Sequence, residues 1–457
     1  MKDLDRILSE LEPQMLDTLR CWLRIPSVCS PAEPGAPFGP VLRSMLDQAL
    51  ADCAALGFST SNFDGYIGHA EFGEGPDEDA LVILAHLDIV PVGDGWTVEP
   101  FEALVKDGKV YARGASDNKG PAVAALYAMA AVKQAGIPLK RKVRLILGCD
   151  EESGWKDIEH YQSVTTMPRS GFSPDAAYPV INIEKGGYFL TLKAMPAGEG
   201  LRVLRFNTGE RRNVVPGAAE ALVVGDEALA DRARSLAKKH GWPLTATVED
   251  GTVRLYTVGI TGHAAFPHLG RNAIGQMLIL LRDLGAQDAW CQLANAIGME
   301  YDGQGLGISA EDSASGPLTC NLGIIRYDGD GIEATLDIRY PLLITPTHLP
   351  ALARQKLPGF EVIGQAGKPP HFVPEDSELV QGLLDAYHEV TGLERKTIAI
   401  GGGTYARVLR EGVAFGALFP DEEDIAHQAD EYVSLDSLHK SIRIFARAIV
   451  KLAGKEA

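Results

Sequence analysis

The stretch that decides the reading is Leu81–Asp88, LVILAHLD, where an unbroken apolar run leads into His86 and Asp88 follows two places later. A short continuous apolar run reads as a strand buried on both faces, as in a parallel sheet. Such a strand ends at a sheet edge, where its last side chains reach a cleft. Residues two apart on a strand share a side, so His86 and Asp88 point the same way. A metal-bound imidazole usually gives its other ring nitrogen to a carboxylate, which fixes the tautomer. His86 is therefore a candidate ligand and Asp88 its orienting partner. A hydrogen-bonded histidine at a strand end fits the same letters.

With 457 residues the chain exceeds one ordinary core, and its length predicts about two or three domains. The apolar share of 46% and charged share of 23% are those of a soluble globular protein. A net charge of −18 argues against binding nucleic acid, which calls for basic patches. Cys21, Cys29, Cys53, Cys149, Cys291 and Cys320 form no C-x-x-C pair, so free thiols are expected rather than a zinc knuckle or a disulfide framework. The opening MKDLDRILSELEPQM is charged and lacks the apolar core of a signal peptide. No apolar run approaches the roughly 20 residues that span a bilayer. These features predict a cytoplasmic protein without a membrane partner.

Helical spacing of Leu4, Ile7, Leu8, Leu11, Met15, Leu19 and Leu23 predicts a first helix, ended by Pro26. A second follows near 41–56, then strands near 66–72 and 81–85. SDNKGP leads into an alanine-rich helix over 122–135, and the next strand, 142–148, ends at Asp150, Glu151 and Glu152. Strand, helix, strand in this order implies a right-handed crossover and a largely parallel sheet. Near Gly186 the pattern changes to strand-like pieces (YFLTLKAM, LRVLRFN, AEALVVG, TVRLYTVG) mixed with helices at 226–240 and 272–284. After about Lys368 the first style returns, with helices at 377–391 and 435–453. The expected architecture is an α/β catalytic domain with a mainly parallel sheet (1–185 and 369–457), interrupted by an inserted α+β domain (186–368).

The chemistry-bearing residues sit at loops and strand ends. Asp117 precedes the alanine-rich helix, Glu151 and Glu152 follow a buried strand, Asp175 lies in FSPDAAYP, and His427 lies in DEEDIAHQADE. Singly, each has an ordinary reading: a helix N-cap, a surface pair, a loop acid, an exposed histidine. As a set, two histidines and three carboxylates suit a pair of divalent zinc-type ions. One carboxylate would bridge, and each ion would take one histidine and one terminal carboxylate. Such ions lower the pKa of water, and a free neighbouring carboxylate can serve as general base.

The ordered set HLDIVPVGDGW, YARGASDNKGP, LGCDEESGW, FSPDAAYPVINIEKG, RRNVVPG, GHAAFP with GRNAI, LDIRYP, GGGTYAR and AHQADEY resembles the di-zinc aminoacylase/carboxypeptidase family, and within it the bacterial peptidase V branch. The resemblance spans nearly the whole chain. It implies that Asp117 bridges the metals, that Glu152 and His427 complete one, and that His86 and Asp175 complete the other. It makes Glu151 the general base, Asp88 the support of the His86 ring, and Asp117–Asn118 a cis peptide. The inserted domain would be a lid, with His263 donating to the oxyanion and Asn213 contacting substrate nearby. Gly262 and Ala265 stand where the family often has Ala and Ser.

Arg339 could pair bidentately with a substrate carboxylate, or form a surface ion pair. GGGTYAR is no nucleotide fingerprint; near Gly403 and Thr404 its backbone N–H groups could approach a carboxylate, or it is a simple turn. The long insertion resembles a pair of short lids fused in one chain, which implies a functional monomer with His263 acting in cis, a dimer remaining open. The expected activity is a metal-dependent dipeptidase acting on small peptides through two divalent ions, zinc first, with manganese or cobalt as substitutes. An N-acyl amino acid deacylase (acetylornithine or succinyl-diaminopimelate type) is the alternative within this fold. An inactive binding protein is a third reading, which the complete ligand set opposes.

Overall fold

The computed structural model describes residues 2–197 and 200–455. It divides into two compact units. One holds the residues up to Asn182, Phe372–Ile398 and those from Gly403 on; the other holds Ile183–His371 with Ala399–Gly402. The second unit thus runs slightly past 186–368 at each end and takes in part of the GGG turn.

In the first unit, Val143–Gly148, Leu81–His86, Ser170–Ser173 and Glu411–Ala414 lie side by side and parallel. Antiparallel strands flank them. Ser59–Phe63 and Ile67–Phe72 extend one edge, and Val180–Glu184 joins the other. The parallel pair Leu81–His86 and Val143–Gly148 is connected through the helix Gly120–Gln134, the crossover that the sequence order predicts.

The unbroken apolar run has a simple cause. Leu81, Ile83 and Ala85 enter the main core with the helices Lys2–Leu23, Gly120–Gln134 and Leu435–Ala453. Val82 and Leu84 enter a second cluster with Ile146, Ile158, Tyr161, Tyr405 and Leu409. Burying each large aliphatic side chain contributes roughly 1.5–3 kcal/mol, so both faces of the strand hold it in register. His86 has the parity of Val82 and Leu84, and its ring lies 6.3 Å from that of Tyr405.

Three helices start one residue after their expected first residue because that residue is the cap. Asp226, Asn272 and Ser377 each accept a backbone N–H from the first turn of the helix that follows. Three short helices, Lys156–Val164, Asp288–Ala296 and Leu349–Lys356, escape the periodicity reading because so few turns carry little pattern. Thr404 caps the short helix Tyr405–Val408, its Oγ1 accepting from the Ala406 N–H at 3.1 Å.

The second unit is α+β. One antiparallel sheet orders Thr319–Arg326, Ile332–Tyr340, Gly186–Ala194 and Glu361–Ala366. Another orders Val203–Phe206, Ala218–Val224, Thr252–Val258 and Leu244–Glu249. Both share one core with the helices Glu227–His240 and Ala273–Asp283.

Candidate metal centre

The first unit gathers His86, Asp88, Asp117, Glu151, Glu152, Asp175 and His427. His86 Nε2 stands 2.9 Å from Asp117 Oδ1 and 3.5 Å from Asp175 Oδ1. His427 Nε2 stands 2.8 Å from Asp117 Oδ2 and 2.7 Å from Glu152 Oε1. Asp117 therefore faces both imidazoles, one with each carboxylate oxygen. Its N-cap reading fails: the following helix has no side-chain cap, and Asp117 adopts φ −129°, ψ 93° before a cis bond to Asn118. The Asn118 amide donates to Asp175 Oδ1 at 3.1 Å and to the Pro174 carbonyl at 2.8 Å, which fixes the loop carrying Asp175.

Asp88 stands behind the His86 ring with both its main chain and its side chain. The closest partner of His86 Nδ1 is the Asp88 backbone carbonyl at 3.0 Å, with the carboxylate further away at 3.4 Å. The carboxylate also accepts the N–H groups of Glu151 and Glu152, at 3.2 and 3.0 Å. One buried residue thus holds the His86 ring with its main chain and the Glu151–Glu152 turn with its side chain. A second brace lies behind that turn, where Asp157 accepts from the N–H groups of Cys149 (2.7 Å) and Asp150 (3.1 Å) and from the Tyr405 hydroxyl.

Burial pushes the Glu151 carboxyl well above its usual range, with the Asp175 charge adding to it. Burial likewise raises Glu152 and lifts Asp175 to about 7. His427 rises to about 11: burial opposes the charged ring, but Asp117 and Glu152 outweigh it. Burial also opposes a charged His86, and Asp175, Asp117 and Asp88 still raise it. Crowded carboxylates in a solvent-poor site call for counter-charge. Two overlapping groups have the geometry to hold a cation, His86–Glu151–Asp175 and His86–Asp117–Glu152, with ligand atoms within 4.8 Å of one another. Nitrogen and carboxylate donors suit zinc and similar ions. The donor set therefore fits a metal. Glu151, expected as a base, stands close enough to share one group.

In the second unit, Asn213 and His263 are neighbours. Val214–Val215 pairs with Gly262–His263, and the Ala264 N–H donates to the Asn213 carbonyl at 2.9 Å. His263 Nδ1 accepts the Ala265 N–H at 3.2 Å, which leaves the proton of a neutral ring on Nε2. Arg339 forms an ion pair, one of its two expected readings, with its bidentate fork on buried Asp337 at 2.6 and 2.9 Å, and Nη1 donates to the Gly401 carbonyl at 3.2 Å. The two residues are two apart on one strand, hence on one face.

Residues 82–451 match the family described as Peptidase family M20/M25/M40. The protein named "Putative dipeptidase YtjP" of Bacillus subtilis (strain 168) is 38% identical over 460 residues, covering 98% of both chains. The chain belongs to peptidase family M20/M25/M40. Its relatives by structure show the fold alone. Human carnosine dipeptidase 1 matches with a TM-score of 0.58 at 13% identity, covering 99% of this chain and 98% of its own. A tripeptidase from Staphylococcus aureus matches with 0.57 at 17%, covering 96% and 98%.

Sequence reasoning missed two residues of this M20 centre. Glu431, fully buried, accepts the N–H groups of Gly114 (3.1 Å), Ser116 (2.9 Å) and Asp117 (3.2 Å). Arg113 donates to it at 2.6 Å. The available signal was an acid four residues after His427 and an arginine four before Asp117 in stretches already marked as chemical. No helix among the described residues is long and apolar enough to cross a membrane.

Proposed function

We propose that the chain is a metal-dependent dipeptidase that holds two divalent ions. The observation that carries this reading is the convergence of His86, Asp117, Glu151, Glu152, Asp175 and His427 from five separate segments of an M20 chain. Asp117, Glu152 and His427 would hold one ion, and Asp117, His86 and Asp175 the other. Zinc suits these donors, and manganese or cobalt could substitute. When bound, such ions polarise the scissile carbonyl and make water a nucleophile near neutral pH.

The residues supply the rest. Glu151 takes the proton of the attacking water and returns it to the leaving amine; it stands beside His86 and Asp175, where that water would be held. Asp88 keeps His86 and the Glu151–Glu152 turn in mutual register. His263 Nε2–H donates to the developing oxyanion, with Asn213 contacting the substrate beside it, both in the same chain and on the unit we assign as a lid. The backbone near Gly403 and Thr404 meets the substrate carboxylate. The dipeptide preference is supported by the name of the 38% identical relative. The long insertion favours a functional monomer of the peptidase V type.

A panel of dipeptides, tripeptides and N-acetyl amino acids, assayed with zinc, manganese and cobalt, tests the reading. Chelator-sensitive cleavage greatest on dipeptides is expected. Faster cleavage of N-acyl amino acids would make it a deacylase, and chelator-resistant hydrolysis would overturn the mechanism. Activity restored on mixing a His263→Ala chain with a metal-site variant would overturn action in cis.

A further inference from the structure

The two histidines of the centre are held by different buried groups, although Asp88 also accepts the Glu152 N–H. His86 is held by the Asp88 carbonyl and Asp175 by the Asn118 amide. Neither of these reaches His427. Support on that side comes from Arg113 and Glu431, which are 1% and 0% exposed. Glu431 Oε2 accepts Arg113 Nη1 and the Gly114 N–H, while Oε1 accepts the Ser116 and Asp117 N–H groups and the Ser116 hydroxyl (3.0 Å). One carboxylate thus shapes the whole turn leading into Asp117.

Arg113 Nη2 reaches the other way, to the His427 carbonyl at 3.2 Å and the Val92 carbonyl at 3.1 Å. The Trp96 ring lies over its guanidinium at 5.3 Å, and Trp96 Nε1 donates to the same Val92 carbonyl. Asp430 closes the figure by accepting the Thr97 N–H and hydroxyl, at 2.8 and 2.9 Å. Three loops therefore meet on one ion pair: the one after His86, the one bearing Asp117, and the one bearing His427.

We infer that Arg113 and Glu431 are positioning residues that set the affinity of one metal ion, the one held by Asp117, Glu152 and His427, more than that of its neighbour. The inference rests on the two-ion reading above. A lysine cannot reproduce the contacts of Arg113, because a single ammonium lacks the planar fork that reaches a carboxylate and two carbonyls together. Loss of a group that orients metal ligands costs about 10–100-fold in metal affinity. A purely electrostatic effect would behave otherwise. Removing the negative charge of Glu431 would weaken cation binding, whereas removing the positive charge of Arg113 would strengthen it.

The experiment titrates zinc-loaded protein with a chelator and counts ions retained, for the wild type, Arg113→Lys, Arg113→Met, Glu431→Gln and His427→Ala. The wild type is expected to hold two ions. Arg113→Lys, Arg113→Met and Glu431→Gln should each release one ion at about 10–100-fold lower chelator, then plateau at the single ion retained by His427→Ala. Should Arg113→Met or Glu431→Gln fail to fold, Arg113→Lys, which keeps the charge, and Ser116→Ala, which removes one contact to Glu431, carry the test. Equal release of both ions, or wild-type retention in these folded variants, overturns the positioning role. Opposite shifts in Arg113→Met and Glu431→Gln overturn it in favour of bulk charge. A wild type that binds fewer than two ions overturns the two-ion reading itself.

Discussion

His86 and His427 meet the same aspartate but are held in opposite ways. His86 ends a strand buried on both faces, is 1% exposed, and has its second ring nitrogen on a backbone carbonyl two residues away. His427 sits in a loop at φ +65°, with half its side chain exposed. Its ring rests between Asp117 and Glu152, and its backbone rests on Arg113. The sheet places the first ligand; a buried ion pair reaching across loops places the second. His69 gives a third contrast within the same unit. Burial, helped by the neighbouring Arg144, pushes its ring down to about 4, where carboxylate neighbours push the other two up.

The largest expected effect tests whether Glu151 belongs to neither half as a ligand. Glu151→Gln should lower turnover by about 10²–10⁴-fold with both ions retained, read by steady-state kinetics and metal analysis. Loss of an ion in that variant would place Glu151 in the His86 half, as its proximity to His86 and Asp175 allows. Next comes Asp88→Ala. The His86 ring keeps its carbonyl partner, while the Glu151–Glu152 turn loses both carboxylate contacts. Metal affinity should fall about 10–100-fold, and chelator competition measures it. Unchanged affinity would show that the two halves are built independently of this residue.

The smallest effect concerns His69. Its folded-state pKa is depressed, so the unfolded chain binds more protons and stability falls as pH drops through the range between 6.5 and about 4. His69→Gln should remove on the order of 1 kcal/mol of the stability lost between about pH 7 and 5.5, measured by denaturant melts of metal-free protein. An unchanged slope would mean that burial does not keep this ring neutral.

Much of this was legible in the chain. The strand Leu81–His86 and the helix Leu435–Ala453 follow from apolar runs and helical spacing. Asp226, Asn272 and Ser377 could be seen at the starts of their helices, because caps are local chemistry. The ligand candidates stood out as acids and histidines at element ends. What escaped notice had non-local or main-chain causes. Asp88 holds His86 by a carbonyl, which every residue possesses and no residue type reveals. Glu431 and Arg113 are 318 positions apart, so only the fold makes them a pair. Arg339 kept two readings open, because D-x-R on a strand shows a shared face and not whether a substrate carboxylate also reaches the guanidinium beside Asp337.

By itself the sequence determined the parallel core, the alternation of catalytic-style and inserted segments, and which side chains are chemically able to bind a metal. These depend on period, hydropathy and residue type, all local properties. Only the tertiary structure decided which oxygen of Asp117 faces which imidazole, that Asp88 divides its main chain and side chain between two tasks, and that one buried ion pair joins three loops. Those arrangements depend on distances between residues far apart in the chain, set when the sheet and its helices bury their apolar faces together.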